Sequence, residues 1–276
     1  YGLSSFNKDR DLEIFFKTCN KLDVNKFDTS PRYGESEKLI GKYLYSNKNN
    51  FISTKIDQIN LKDSISTIDK HMNSSIENSL KNLGVEKINL CYLHENQLEI
   101  ISNKDVLRSL RGLKENGLVK NIGASIYSIE ELDYVISSRL YDWVQIPVNI
   151  LDTSFYNYII DKSSNINIAA RSLFLQGNLI NKNSILMKNY TELESLLNDI
   201  SNISLDIGID LADLMVSYIN SLNRIDQIII GTTSKKNLES IVESLDIRLD
   251  EVTLNKLHNI SVNKKNWTNP RIWNSN

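Results

Sequence analysis

Apolar positions along the chain fall into two alternating rhythms. Short runs rich in β-branched and aromatic residues occur at Val24–Thr29, Phe51–Ile56, Ile88–His94, Val119–Ser125, Trp143–Asn149, Ile166–Leu173 and Gln227–Gly231, and they read as seven strands. Between them the apolar residues recur at helical spacing. One helical face carries Leu39, Ile40, Tyr43 and Leu44. A second carries Met72, Ile76, Leu80 and Leu83 and is stopped by Gly84. A third uses Val106, Leu107, Leu110 and Leu113 and is stopped by Gly117. Ser128 and Glu131 form a capping-box pattern ahead of Leu132, Val135 and Ile136. Further helices are expected near Phe155–Ile160, over Thr191–Ile200, through Leu211–Leu222, through Leu238–Val242 and around Leu254–Ile260.

Strands alternating with longer amphipathic stretches predict a parallel sheet joined by crossover helices. No internal boundary or low-complexity linker interrupts the pattern, so residues 1–276 read as a single domain. The predicted fold is α/β, a TIM-type (β/α)8 barrel one strand short. Its first strand is expected to be missing or truncated at the N-terminus, before or within the first few residues. An open doubly wound sheet is the competing architecture, but its glycine-rich first turn, G-x-G-x-x-G, is nowhere in the chain.

Composition narrows the function. A chain of 276 residues with 41% hydrophobic content can bury the core of one large domain. A formal net charge of −2 with scattered Lys and Arg gives no case for nucleic acid. Cys19 and Cys91 match no metal or redox spacing, which fits a reducing cytoplasm. No apolar run approaches the ~20 residues of a membrane span. The chain begins at Tyr1 with neither an initiator Met nor a secretory signal, which reads as a trimmed N-terminus.

In a barrel the chemistry collects at the C-terminal ends of the strands. Those ends present Asp28, with Tyr33 five residues on, then Lys55, then His94. A lysine near the end of the apolar run FISTKI needs a partner, and Asp28 on the neighbouring strand is the candidate. An ammonium near a phenol favours the phenolate, so Tyr33 is a candidate general acid/base. His94 would orient a substrate oxygen or relay the proton. Taken singly, each has a plainer reading: Asp28 and Tyr33 as turn residues, His94 as a core or turn histidine. No H-x-H or H-x-x-x-H pair supports a metal site, and no nucleophile elbow supports a serine triad. His71 and His258 lie in helical patterns and are expected at the surface.

With their spacing, these residues resemble the aldo-keto reductases. The resemblance rests on DTSPRYGESE, the strand-end Lys55, YLHE, VKNIGAS, VQIPVN, ARSLFLQGNL and IIGTTSKKNLES, collinear over nearly the whole chain. It implies a (β/α)8 barrel with a nicotinamide cofactor across the C-terminal rim and Asp28, Tyr33, Lys55 and His94 as a catalytic tetrad. It also implies that Ser125 and Gln145 hold the nicotinamide carboxamide. The Asn usual after that serine is Ile126 here, which removes one amide partner. Arg171 stands where many members stack a tyrosine on the nicotinamide. Ser172, Leu175, Gln176 and Gly177 fall under the pyrophosphate, and Gly231, Thr232, Thr233, Ser234 and Asn237 fall at the adenosine phosphate. The Arg that often grips a 2′-phosphate is Asn237 here, so the choice between NADP and NAD stays open. Members of this branch begin with a Gly-Thr-containing strand upstream of a segment like YGLSS.

Two functions follow from this reading. The first is an NAD(P)-dependent oxidoreductase moving a hydride between nicotinamide and a carbonyl or alcohol carbon of a small, sugar-like substrate. The second is a weak or inactive nucleotide-binding module on the same barrel, motivated by Ile126, the altered adenosine end and the missing strand. A small molecule is the only partner expected, with no nucleic acid and no membrane, and the oligomeric state is not readable.

Overall fold

A computed structural model describes residues 9–44, 49–94, 97–181 and 189–261. The first few residues, where the first barrel strand is expected to be missing or truncated, lie outside the described residues, as do Trp267 and Trp273. The chain divides into two compact units, residues 1–145 with 231–239, and residues 146–230 with 240–276.

The first unit is built on parallel strands β1 (Lys26–Asp28), β2 (Phe51–Ile56), β3 (Ile88–Leu93), β4 (Val119–Ser125) and the opening of β5 (Trp143–Pro147). Their registers place Asp28 opposite Ser53, Lys55 opposite Tyr92, Tyr92 opposite Gly123, and Ser125 opposite Gln145. Strand β3 is buried at Ile88, Leu90, Cys91, Tyr92 and Leu93, on both faces. Such burial explains why its sequence is a nearly continuous apolar run and not an alternating one.

Around these strands lie α1 (Asp9–Lys21), α2 (Ser36–Leu44), α3 (Ile65–Leu83), α4 (Leu98–Ile101), α5 (Lys104–Glu115) and α6 (Ile129–Ser138). Gly84 ends α3 in the left-handed region at φ 65°, and the Ser128–Glu131 capping box opens α6. Helix α1 is absent from the sequence expectations. Its buried Leu12, Phe15, Phe16 and Cys19 have i, i+3, i+4, i+7 spacing, a signal sufficient to find it. Phe16 stacks on Tyr43 of α2 with ring centroids 5.1 Å apart. Strand β1 is shorter than expected because the Val24 N–H donates to the Cys19 carbonyl at the end of α1.

Two glycines are required by close approach. A Cβ at Gly41 would run into the backbone of Asn82 and Leu83, so this residue lets α2 lie against α3. A Cβ at Gly123 would sit 2.7 Å from the Tyr92 ring, so Gly123 makes room for that ring on the next strand.

In the second unit, β6 (Asn167–Arg171) and β7 (Gln227–Ile228) pair in parallel, with Ala169 opposite Gln227. The Val148 N–H, just after β5, donates to the Arg171 carbonyl. Helices α7 (Ser154–Asp161), α8 (Thr191–Ile207), α9 (Leu211–Ser221) and α11 (Glu251–Ile260) belong here, together with the C-terminal half of α10 (Lys235–Ser244). Asp213 of α9 accepts from Ser240 and Ser244, which ties α9 to α10. All seven expected strands occur among the described residues, and each described strand pairing is parallel.

Candidate active site

The site in the first unit begins where β1 runs out. The Thr29 N–H still pairs with the Ser53 carbonyl, and the chain then turns. Tyr33 N–H donates to the Ser30 carbonyl, and Ser36 N–H donates to the Tyr33 carbonyl. Gly34, at φ 58°, takes the left-handed position within this turn. The turn is pinned at its ends by Thr29 Oγ1, which donates to Ser36 Oγ at 2.9 Å. Tyr33 is thereby held between two fixed points.

Lys55 reaches Asp28 from the neighbouring strand. Its Nζ is 2.6 Å from Asp28 Oδ2 and also donates to the Thr29 carbonyl at 2.8 Å. Asp28 Oδ1 accepts from Ser53 Oγ at 2.9 Å and from Gln145 Nε2 at 3.2 Å. The lysine side chain is 1% exposed. Burial works against its charge, but the Asp28 carboxylate and then Tyr33 outweigh that and hold the ammonium above the usual lysine range. Its Nζ lies 4.9 Å from the centre of the Tyr33 ring. The Tyr33 and His94 rings meet edge-to-face at 5.9 Å and 89°. Nδ1 of His94 lies 3.2 Å from Ser30 Oγ. Asp28, Lys55, Tyr33 and His94 are thus contiguous. A phenol set between a fixed ammonium and an imidazole can exchange a proton at its oxygen.

Behind this group lie residues that the sequence reading did not single out. Glu37, 2% exposed in the first turn of α2, accepts from Thr54 Oγ1 at 2.7 Å and from Asn82 Nδ2 at 3.1 Å. The helix N-terminus also favours its charge. An acid just after the turn, ahead of an apolar helical face, is the sequence signal for such a residue. Tyr92 is fully buried and its hydroxyl has no hydrogen-bond partner. Burial, and then the charge of Asp28, push its phenol far above the usual range. Burial likewise raises the Cys91 thiol, so Cys91 is an inert core residue.

The residues assigned to the cofactor divide between the units. In the first, Ser125 Oγ donates to Gln145 Oε1 at 3.2 Å, and Gln145 passes the chain on to Asp28. Ile126 is fully buried, with its N–H on the Gln145 carbonyl. Ser125 has used its proton, so its oxygen is left as an acceptor suited to a carboxamide N–H₂. Gly231, Thr232, Thr233, Ser234 and Asn237 fall at the start of α10. Ser234 Oγ accepts from the Asn237 N–H at 3.2 Å, and Lys235 pairs with Glu239 at 3.6 Å on its own helix. In the second unit, Arg171 ends β6 and donates from Nη1 to Ser172 Oγ at 3.1 Å. Ser172, Leu175, Gln176 and Gly177 all have left-handed backbone, at φ 67°, 43°, 62° and 85°.

His258 is exposed, as expected. His71 is half-buried in α3, with its Nε2 unpartnered, and not at the surface as its pattern suggested. No metal-holding cluster of His, Cys, Asp and Glu occurs among the described residues. No described helix is long and apolar enough to cross a membrane.

Comparison with known proteins gives a consistent answer. The model of the Aldo/keto reductase family matches residues 2–261. D-arabinose 1-dehydrogenase of Saccharomyces cerevisiae is 32% identical over 133 residues, which is 45% of this chain and 39% of that enzyme's length. L-galactose dehydrogenase of Arabidopsis thaliana is 22% identical over 278 residues, 91% of this chain and 84% of the relative. The holo form of an aldo-keto reductase from Bacillus halodurans superposes with a TM-score of 0.77 at 16% identity, covering 93% of this chain and 90% of that one. At that identity the likeness concerns the fold alone.

Proposed function

The chain belongs to the aldo/keto reductase family, and on that premise we propose that it is an NAD(P)-dependent oxidoreductase interconverting a carbonyl compound and its alcohol. The observation that carries the reading is the contiguous group of Asp28, Lys55, Tyr33 and His94. Bound nicotinamide supplies the hydride donor or acceptor. The chain's own residues do the rest. Tyr33 gives its phenolic proton to the substrate oxygen during reduction and takes it back during oxidation. Lys55, kept charged by Asp28, stabilises the phenolate left behind. His94 holds the substrate oxygen in place.

Ser125 and Gln145 would hold the carboxamide, Arg171, Ser172, Leu175, Gln176 and Gly177 the middle of the cofactor, and Gly231–Ser234 with Asn237 its adenosine end. The start of α10 offers backbone N–H groups to an anion. The reading includes the single (β/α)8 domain expected over 1–276. Two relatives are named for dehydrogenating D-arabinose and L-galactose, so a small sugar-like carbonyl or alcohol is the substrate class. The buried Ile126 favours a second reading, a nucleotide-binding module with little turnover, because no side-chain amide follows Ser125.

One experiment separates them. The purified chain is titrated with NADPH and NADH by quenching of tryptophan fluorescence, and a sugar and aldehyde panel is then assayed with the preferred nucleotide. Saturable binding with turnover supports the reductase. Binding with no turnover across the panel supports the module. No binding of either nucleotide at millimolar concentration rejects both.

A further inference from the structure

Ser30 lies in the turn between Asp28 and Tyr33 with 0% of its surface exposed. Its oxygen accepts from the Arg32 N–H at 3.2 Å and lies 3.2 Å from His94 Nδ1. A serine hydroxyl has two acceptor lone pairs but only one proton to donate. In a buried site that proton needs an acceptor, because a buried donor left unpaired has lost its bond to water without a replacement. The Arg32 contact cannot provide one, since there Ser30 is itself the acceptor. Were His94 to donate from Nδ1, the serine oxygen would accept twice and its proton would be stranded.

We infer that Ser30 is a positioning residue: its hydroxyl donates to Nδ1 of neutral His94 and so fixes the imidazole proton on Nε2. The inference rests on the reading above, in which His94 contacts the substrate oxygen. It also refines that reading. A histidine with its proton fixed on Nε2 is a neutral N–H donor that holds the developing alkoxide. The proton that completes the alcohol then comes from Tyr33 and not from His94. The two side chains, in edge-to-face contact at 5.9 Å, divide holding and transfer between them. Ser30 has no exposed surface and acts through the ring it orients. This is how a neighbouring hydrogen bond selects a histidine tautomer.

The chain has three histidines, His71, His94 and His258, so its ring nitrogens are accessible to NMR. The full chain is labelled with 15N-histidine and read by long-range 1H–15N correlation, well above the ordinary histidine value of about 6.5. Loss of signals in His94→Asn assigns the ring. A pyridine-like Nδ1 with a pyrrole-like Nε2 is the expected pattern. Ser30→Ala should convert it to a mixture of tautomers and lower kcat about tenfold, the worth of one hydrogen bond, with nucleotide affinity unchanged. Ser30→Thr, which keeps the hydroxyl, should restore both. A pyrrole-like Nδ1 in the unsubstituted chain overturns the assignment, as does Ser30→Ala with an unaltered ring signature. If Ser30→Ala does not fold, the unsubstituted spectrum still decides. That spectrum needs no substrate, so a pyridine-like Nδ1 in a chain that reduces no carbonyl keeps the Ser30 assignment and removes the functional reading.

Discussion

Lys55 Nζ lies 2.6 Å from Asp28 Oδ2, and only 1% of the lysine side chain and 12% of the aspartate side chain reach solvent. The pair joins β1 to β2 at the strand ends where Tyr33 and His94 gather. It is a buried ion pair whose remaining acceptor sites are served by Ser53 and Gln145. Breaking one side of such a pair is far more harmful than replacing both.

Lys55→Met should therefore lower stability by about 3–5 kcal/mol, because it strands the Asp28 carboxylate in the core. Adding Asp28→Asn should recover most of the loss while leaving the enzyme without turnover. Urea midpoints of the wild type, both single variants and the double variant give the coupling directly. A double variant no more stable than Lys55→Met alone would contradict the pairing as the source of the cost.

Alkaline pH should unfold the protein in a way that depends on Lys55. Its folded value is raised above the unfolded one, about 10.4. The associated stability is fully present below that pH and is lost as pH climbs through the folded value. Tyr218, pushed up to about 12 by burial and then by Tyr156, contributes in the same direction. Urea midpoints measured upward from about pH 9 should fall, and fall less steeply in Lys55→Met, which keeps only the part contributed by the buried phenols and thiols. Equal slopes would mean that the lysine is not shifted.

Gly123→Ala should cost about 1–3 kcal/mol through overpacking, since its methyl would meet the Tyr92 ring and the Trp143 carbonyl. Tyr92→Leu in the same chain should relieve part of that cost. Thermal unfolding of the two single variants and the double variant tests it, and strict additivity would show that the two sites do not share the space.

Glu37→Gln replaces one acceptor oxygen by a donor facing Thr54 or Asn82, both already donors. A loss of about 1–3 kcal/mol is expected in the urea midpoint. Thr54→Val, which removes a donor and leaves Glu37 its bond from Asn82, should cost less. The reverse order would show that Glu37 is held mainly by the α2 N-terminus.

The strands were legible because β2, β3 and β4 are buried, β-rich runs bounded by turns, and Asp28, Lys55 and His94 could be placed at their ends by counting. Gly84 and the Ser128–Glu131 box likewise marked helix ends by local chemistry. What was not legible depends on partners distant in sequence. Glu37 is a buried carboxylate only because Thr54 and Asn82 come to it, and Gly123 is obligatory only because Tyr92 faces it. Ser30 reads as an ordinary turn serine until His94, far along the chain, is placed against it. Val24 looks like strand, but its N–H is taken by α1. His71 follows a surface pattern, yet α3 turns it partly inward.

Tyr33→Phe asks whether this phenol is the proton source. The substitution removes one oxygen from a half-buried ring and leaves the Lys55–Asp28 ion pair and the Ser125–Gln145 hydrogen bond in place. With a carbonyl substrate found by the panel, single-turnover oxidation of bound NAD(P)H is compared between the two proteins, alongside nucleotide affinity from fluorescence. Nucleotide affinity should stay within about twofold of the wild type, and hydride transfer should slow by the roughly 10²–10⁴-fold expected when a general acid is lost. Hydride transfer at the wild-type rate in Tyr33→Phe would move the proton source to another group.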